Sequence, residues 1–124
     1  MKTEELIEAI VECAKEVRKH LTPGYEEKIY KNAMYIELSS RNIPIQTEKS
    51  FRVNYKGHIL GEYRADMIAD DRVIIELNAI HSLAPIHSTQ QVNYLTATGI
   101  DDGLHIIFGS EKIEIRHKSR LYHS

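Results

Sequence analysis

Val73-Ile74-Ile75-Glu76-Leu77 is a short, largely β-branched apolar run with a single carboxylate in it. A run of this kind has no polar face, so as a strand it must be covered on both sides. An ionised carboxylate in such a strand is costly unless it is paired or coordinates a metal. Just upstream, Tyr63-Arg64-Ala65-Asp66-Met67-Ile68 places a second carboxylate on a second strand-like run. Two carboxylates on neighbouring strands, aimed at one spot, are a common way to hold a hard divalent cation. A buried glutamate paired with Arg64 or a lysine accounts for the same pattern equally well.

The remaining periodicities supply the layers. Leu6, Ile10, Cys13, Val17 and Leu21 recur at steps of three or four behind Thr3, a plausible N-cap, with Glu4 and Glu5 in the first turn. Thr22-Pro23-Gly24 breaks that helix. A second helix is expected from about Tyr25 to Leu38, with Ile29, Ala33 and Ile36 as its core stripe. The period then changes to two. Phe51, Val53 and Tyr55 alternate with Arg52, Asn54 and Lys56, as in a half-buried antiparallel strand. Lys56-Gly57 reads as a hairpin turn, and a return strand carries Ile59 through Ile68. Val73–Ala79, a helix from about Ile86 to Thr98 closed by Gly99, and strands at Leu104–Phe108 and around Ile113 and Ile115 complete the chain. The expected order is α-α-β-β-β-α-β-β, a mixed β-sheet flanked by helices in one domain over residues 1–124.

Charge and composition exclude several classes. Lys and Arg number 16 against 18 Asp and Glu, a formal net charge of −2, so any nucleic-acid partner must be met by a local basic patch. Lys49, Arg52 and Lys56 form a modest strip of that kind, and a solvated strand face explains them equally well. The single cysteine, Cys13, rules out an intrachain disulfide framework and reads as a buried structural thiol. No apolar stretch approaches the ~20 residues that span a bilayer, and the acidic start is unlike a signal peptide. A cytoplasmic protein without a membrane partner is therefore expected, with a homodimer or a protein partner left open.

On the last helix, His87, Gln90 and Tyr94 share one face, with Gln91 close beside it. Val92 and Leu95 lie elsewhere around the helix. His81, His105, His117 and His123 show no metal-ligand spacing and read as surface or loop residues.

Gly24-Tyr25-Glu26-Glu27-Lys28-Ile29-Tyr30 fits the signature G-x-x-E-x-x-Y, and the chain resembles the GxxExxY proteins of the PD-(D/E)XK nuclease superfamily. The likeness continues through Tyr55-Lys56-Gly57, Tyr63 to Asp66, Ile75-Glu76-Leu77, Pro85-Ile86-His87, Gln90 to Tyr94, Ala97-Thr98-Gly99 and Phe108-Gly109. The resemblance implies an α-β-β-β-α-β core and a Mg²⁺- or Mn²⁺-dependent phosphodiesterase acting on nucleic acid, DNA first. It makes Asp66 and Glu76 the metal ligands, with Glu27 contributed from a helix as a further acidic residue at the metal, and it places these three with Asn78 in the catalytic set. Gln90 and Tyr94 match a Q-x-x-x-Y helix that positions nucleic acid, and His87 matches a family position. Beside these, Arg64 is expected to share a strand face with Asp66 and to steer a phosphate. Tyr30 is expected to share a helix face with Glu27 and to orient a carboxylate.

Asn78 departs from the pattern, which expects lysine two residues after the glutamate. Asparagine can hydrogen-bond a water or a phosphate oxygen but is never a cation. Loss of one electrostatic stabiliser costs roughly 10²–10³ in rate. Three readings follow: a nuclease active with Asn78 or with a substitute cation such as Arg64 or Lys49, an inactive nucleic-acid-binding or interaction module on the same fold, or carboxylates that are merely structural.

Overall fold

The computed structural model describes residues 1–80, 85–109 and 111–120, and only the backbone of residues 85 and 87–89. Three helices and five strands occur in the expected order: α1 (Thr3–His20), α2 (Glu27–Ser40), β1 (Ile45–Tyr55), β2 (His58–Ala69), β3 (Val73–Asn78), α3 (Pro85–Thr98), β4 (Asp102–Ile107) and β5 (Glu114–Ser119). The five strands form one sheet in the order β1-β2-β3-β4-β5. β3 and β4 are parallel and the other neighbours antiparallel, so α3 is the crossover that returns the chain beside β3.

The run that opened the sequence reading is covered on both sides. Val73, Ile75 and Leu77 pack with α1 and α2, while Ile74 packs with Tyr63, Ala65, Ile68 and Leu95 on the α3 side. Alternation therefore turns Glu76 and Asn78 toward the α3 side, as expected from strand parity. α1 buries Leu6, Ile10, Cys13, Ala14 and Val17. It starts at Thr3 itself, not after it. Lys2 is the N-cap, its backbone N–H donating to Glu5 Oε1 at 3.2 Å.

α2 turns a different face inward from the one expected. Tyr30, Met34 and Leu38 are buried, whereas of the expected stripe only Ala33 packs partly on the core and Ile29 and Ile36 are exposed. Both stripes are apolar at helical steps of three or four. The inner one is selected by the Tyr30 ring, stacked on Phe108 at 4.7 Å between centroids, and by its hydroxyl, which donates to the Thr22 carbonyl at 2.6 Å.

The β1–β2 hairpin is longer than expected and projects from the sheet. Its turn residues Lys56 and Gly57 both have positive φ, 47° and 81°, as a two-residue hairpin turn requires. β2 pairs with β3 only through Met67, Ile68 and Ala69. Val53 and Tyr55 therefore lack cover and are exposed instead of half-buried. Where the hairpin joins the sheet, strict alternation breaks. Ala65 packs with the α3 cluster and Met67, two residues on, with the α1–α2 cluster. Asp66 lies at that break, and Glu48 on β1 has a left-handed backbone, φ 54°, where the ladder skips from Thr47–Met67 to Lys49–Ala65.

Candidate active site

Strand ends bring the acidic residues together. Asp66 Oδ2 accepts the Leu77 backbone N–H at 3.0 Å, which fixes the aspartate of β2 against β3. Glu76, one residue before, feels Asp66 both as a charge and as a hydrogen-bond partner. Its carboxylate also accepts a hydrogen bond from the Tyr63 hydroxyl. Burial pushes the Glu76 carboxyl up to about 8, the Tyr63 bond opposes that shift, and the Asp66 charge adds to it. Tyr63 is itself raised, by burial and then by the facing Glu76. Its ring stacks on Tyr94 of α3 at 3.8 Å between centroids, with Phe51 of β1 on its flank at 6.2 Å.

Glu27, in the first turn of α2, reaches this group from the other layer. The Asn78 side-chain amide donates to Glu27 Oε2 at 3.5 Å. The carboxyl of Glu27 is raised by partial burial and by the Asp66 charge, against the Asn78 bond and Lys31. The Asn78 carbonyl oxygen accepts from His105 Nε2 on β4. That bond makes Nε2 the protonated nitrogen of the ring and leaves Asn78 tied at both ends.

A cavity of about 280 Å³ opens between α3 and the sheet, lined by Glu76, Asn78, Ile80, Gln90, Gln91, Tyr94 and His105. Gln90 and Tyr94 are thus on the site, as their helical spacing suggested. His87 lies in α3, but its side chain is outside the described residues, as are His81 and His123.

Two expected residues are elsewhere. Tyr30 points into the core, its hydroxyl held by Thr22 and by the Tyr25 backbone N–H at 3.2 Å, so it orients no carboxylate. Arg64 is exposed and, among the described residues, pairs with neither Asp66 nor Glu76. The break in alternation after Ala65 undoes the shared face on which its role depended.

Three residues enter the site unannounced, and Gln91, expected only beside the α3 face, joins them. Tyr63 holds Glu76, and its three-residue offset from Asp66 gave no hint of that. His105 is buried beside Asn78, not on the surface, because it faces Glu76 directly in the parallel β3–β4 register. A lone histidine in the apolar run Leu104–Phe108 was the same kind of signal as Glu76. Gln91 is buried against the sheet, 2% exposed, and its Nε2 has no hydrogen-bond partner among the described residues. Lys31 of α2 brings its Nζ to 4.0 Å from Asp66 Oδ1 and pairs with Glu48.

A family model described as the PD-(D/E)XK nuclease superfamily matches residues 4–118. The chain belongs to that superfamily. Among solved structures, one described as the crystal structure of SSO0001 is similar, with a TM-score of 0.58 and 20% identity over 74% of this chain and 48% of that one. This chain thus corresponds to about half of that protein, and the likeness is one of fold. No curated protein matches the chain.

PD-(D/E)XK nucleases typically use divalent metals, and the donor chemistry here fits one. Two carboxylates crowd each other at Asp66 and Glu76, and a cation between them would offset both the burial and the repulsion that raise Glu76. Among the described residues, no three His, Cys, Asp or Glu side chains are grouped closely enough to hold an ion. The site therefore offers a carboxylate pair, with Glu27 standing off behind Asn78. No helix among the described residues is long and apolar enough to cross a membrane.

Proposed function

We propose that this PD-(D/E)XK domain is a nuclease that hydrolyses DNA phosphodiester bonds with Mg²⁺ or Mn²⁺. The observation that carries this reading is the Asp66–Glu76 pair, in which burial and the Asp66 charge raise Glu76 to about 8 where it lines the cavity. Perturbation of that kind, by burial plus a specific like charge in a cleft, marks functional sites. Asp66 and Glu76 would hold the ion. Bound there, it supplies Lewis acidity that activates water and stabilises charge on the phosphate.

The chain's own residues do the rest. Tyr63 fixes the Glu76 carboxylate, and the Leu77 N–H fixes that of Asp66, so both are preorganised. Glu27 is positioned by Asn78 to accept a proton at its carboxylate from a water on the open side of the pair. Gln90 and the unpaired Gln91 amide face the cavity, where they can hydrogen-bond a phosphate or base edge, and the Tyr94 ring closes the cavity wall.

A second reading, a nucleic-acid-binding or protein-interaction module without turnover, is favoured by Asn78. A neutral side chain engaged by both Glu27 and His105 cannot act as the motif's lysine. The deciding experiment is a cleavage assay on single- and double-stranded DNA and RNA with Mg²⁺ and with Mn²⁺, alongside Glu76→Ala. DNA cleavage abolished by Glu76→Ala supports the nuclease. No cleavage in the wild type, with activity appearing in Asn78→Lys, establishes the module.

A further inference from the structure

We propose that Lys31, presented by α2 and not by β3, supplies to this site the ammonium that Asn78 does not. The inference rests on the nuclease reading and names the cation that reading lacks. Lys31 follows Glu27 by one helical turn, so both project from the same side of α2 toward the strand ends. Its Nζ is 4.0 Å from Asp66 Oδ1, and its side chain is only 18% exposed. Glu48 fastens it from the other side, at the one position where β1 adopts a left-handed backbone and the β1–β2 ladder is interrupted opposite Asp66. The irregular backbone and the ion pair thus hold a lysine against a carboxylate of the proposed metal pair.

The other cations are poorly placed for the task. Arg64 is exposed and, among the described residues, forms no ion pair with Asp66 or Glu76. Lys49 reaches Gln46 Oε1 at 3.4 Å and lies over the Phe51 ring at 5.5 Å. Lys31 also lines a groove of about 450 Å³ with Lys28, Asn32 and Tyr35. It therefore stands between that groove, which Thr47 and Glu48 also line, and Asp66. A strand whose phosphate lies on the pair, with its backbone along α2, would meet Lys31 at a nonbridging oxygen and Lys28 beyond it. A flexible four-carbon stem allows the ammonium to swing from Glu48 to that oxygen.

The test compares wild type, Lys31→Met, Lys31→Arg and the double variant Lys31→Met/Asn78→Lys. Each is assayed for duplex cleavage in Mn²⁺, for Mn²⁺ affinity by calorimetry, and for affinity to a cleavage-resistant phosphorothioate duplex in Ca²⁺. Lys31→Met should cut roughly 100-fold more slowly, the scale of losing one electrostatic stabiliser. It should bind the duplex about 5-fold more weakly, as for one phosphate contact, with Mn²⁺ affinity unchanged or higher. Lys31→Arg should keep most of the duplex affinity, and the double variant should recover at least about 10-fold in rate by moving the ammonium to the motif position. Cleavage and duplex affinity in Lys31→Met equal to wild type would overturn the proposal. So would loss of both together with Mn²⁺ affinity and melting temperature, in Lys31→Met and in the gentler Lys31→Gln alike. If the wild type cuts nothing, the nuclease reading fails by itself and duplex affinity decides. Weakening by Lys31→Met then retains Lys31 as the phosphate contact, and equal affinity removes it.

Discussion

The Tyr63 hydroxyl donates to the Glu76 carboxylate, across a β2–β3 pairing that is hydrogen-bonded only further along the strands. That one contact ties the sheet to the α3 layer. The Tyr63 ring is stacked on Tyr94 from α3 and flanked by Phe51 from β1, so the carboxylate's orientation is set by aromatic packing as much as by its own strand. Glu76 also has Asp66 beside it, and the pair is crowded by design of the sheet: the N–H that holds Asp66 belongs to the residue after Glu76. A local excess of negative charge is built into the strand junction.

The first consequence concerns pH. The Glu76 carboxyl is raised to about 8, against an unfolded value near the usual ~4.3. Between those values the folded state binds more protons than the unfolded state, so the metal-free protein loses stability as pH rises from about 4.3 through 8. Glu76→Gln removes that titration. In chelator, its melting temperature should exceed the wild type's at pH 8.5 by at least about 4 °C, the scale of 1 kcal/mol for a domain of this size. The gap should close toward pH 5. Calorimetric melts across that range check it, and a gap that does not vary with pH refutes the linkage.

Tyr94 separates packing from positioning. Tyr94→Phe keeps the ring stacked on Tyr63 and should melt within about 0.5 kcal/mol of wild type. Tyr94→Ala removes the ring stacked on Tyr63 and should cost about 2–3 kcal/mol in urea denaturation. If the Tyr63 ring is what holds Glu76, Tyr94→Ala should also reduce Mn²⁺ affinity, and Tyr94→Phe should not.

How far the sequence was legible depends on the range of the interaction. Strand parity at Glu76 and Asn78 and the Lys56-Gly57 turn follow from neighbours a few residues apart and were legible for that reason. The Gln90–Tyr94 face was legible for the same reason. Arg64 was misplaced because alternation fails after Ala65, and nothing local marks that break except a glutamate on the partner strand with φ 54°. Tyr30 was misplaced because α2 carries two apolar stripes, and contact with Phe108, 78 residues on, selects between them. The place of Lys31 depends wholly on which helix and strands become neighbours, and so does the partner that His105 finds, although its apolar run marked it as buried.

Gly109 tests the close approach that shapes the end of β3. A Cβ there would sit 2.1 Å from the Ile80 carbonyl oxygen and 2.3 Å from that of Ala79, both backbone atoms that cannot turn aside. Gly109→Ala should therefore cost roughly 3 kcal/mol or more, as overpacking against a fixed wall does. Gly103→Ala provides the contrast, since its Cβ would meet only the end of the Gln91 side chain, 2.8 Å from Nε2. It should cost about 1 kcal/mol and push the Gln91 amide into the cavity. Chemical denaturation of the two variants should give that order.

Asp66 carries both a charge and a hydrogen-bond acceptor, and two substitutions divide them. Asp66→Asn keeps an oxygen for the Leu77 N–H, while Asp66→Ala leaves that backbone donor without its 3.0 Å partner. Leaving such a donor unpaired costs about 1–3 kcal/mol, so Asp66→Ala should be less stable than Asp66→Asn by that margin in urea. Removal of the charge acts on the neighbour in both cases. The Asp66 charge is one of the forces raising Glu76, and without it the Glu76 carboxyl should titrate lower, by carboxyl-resolved NMR, in Asp66→Asn. Divalent-metal affinity should fall in both variants by the same factor, because the cation needs the charge and is indifferent to the Leu77 bond. A larger fall in Asp66→Ala would instead mean that the backbone bond, by aiming the carboxylate, governs binding.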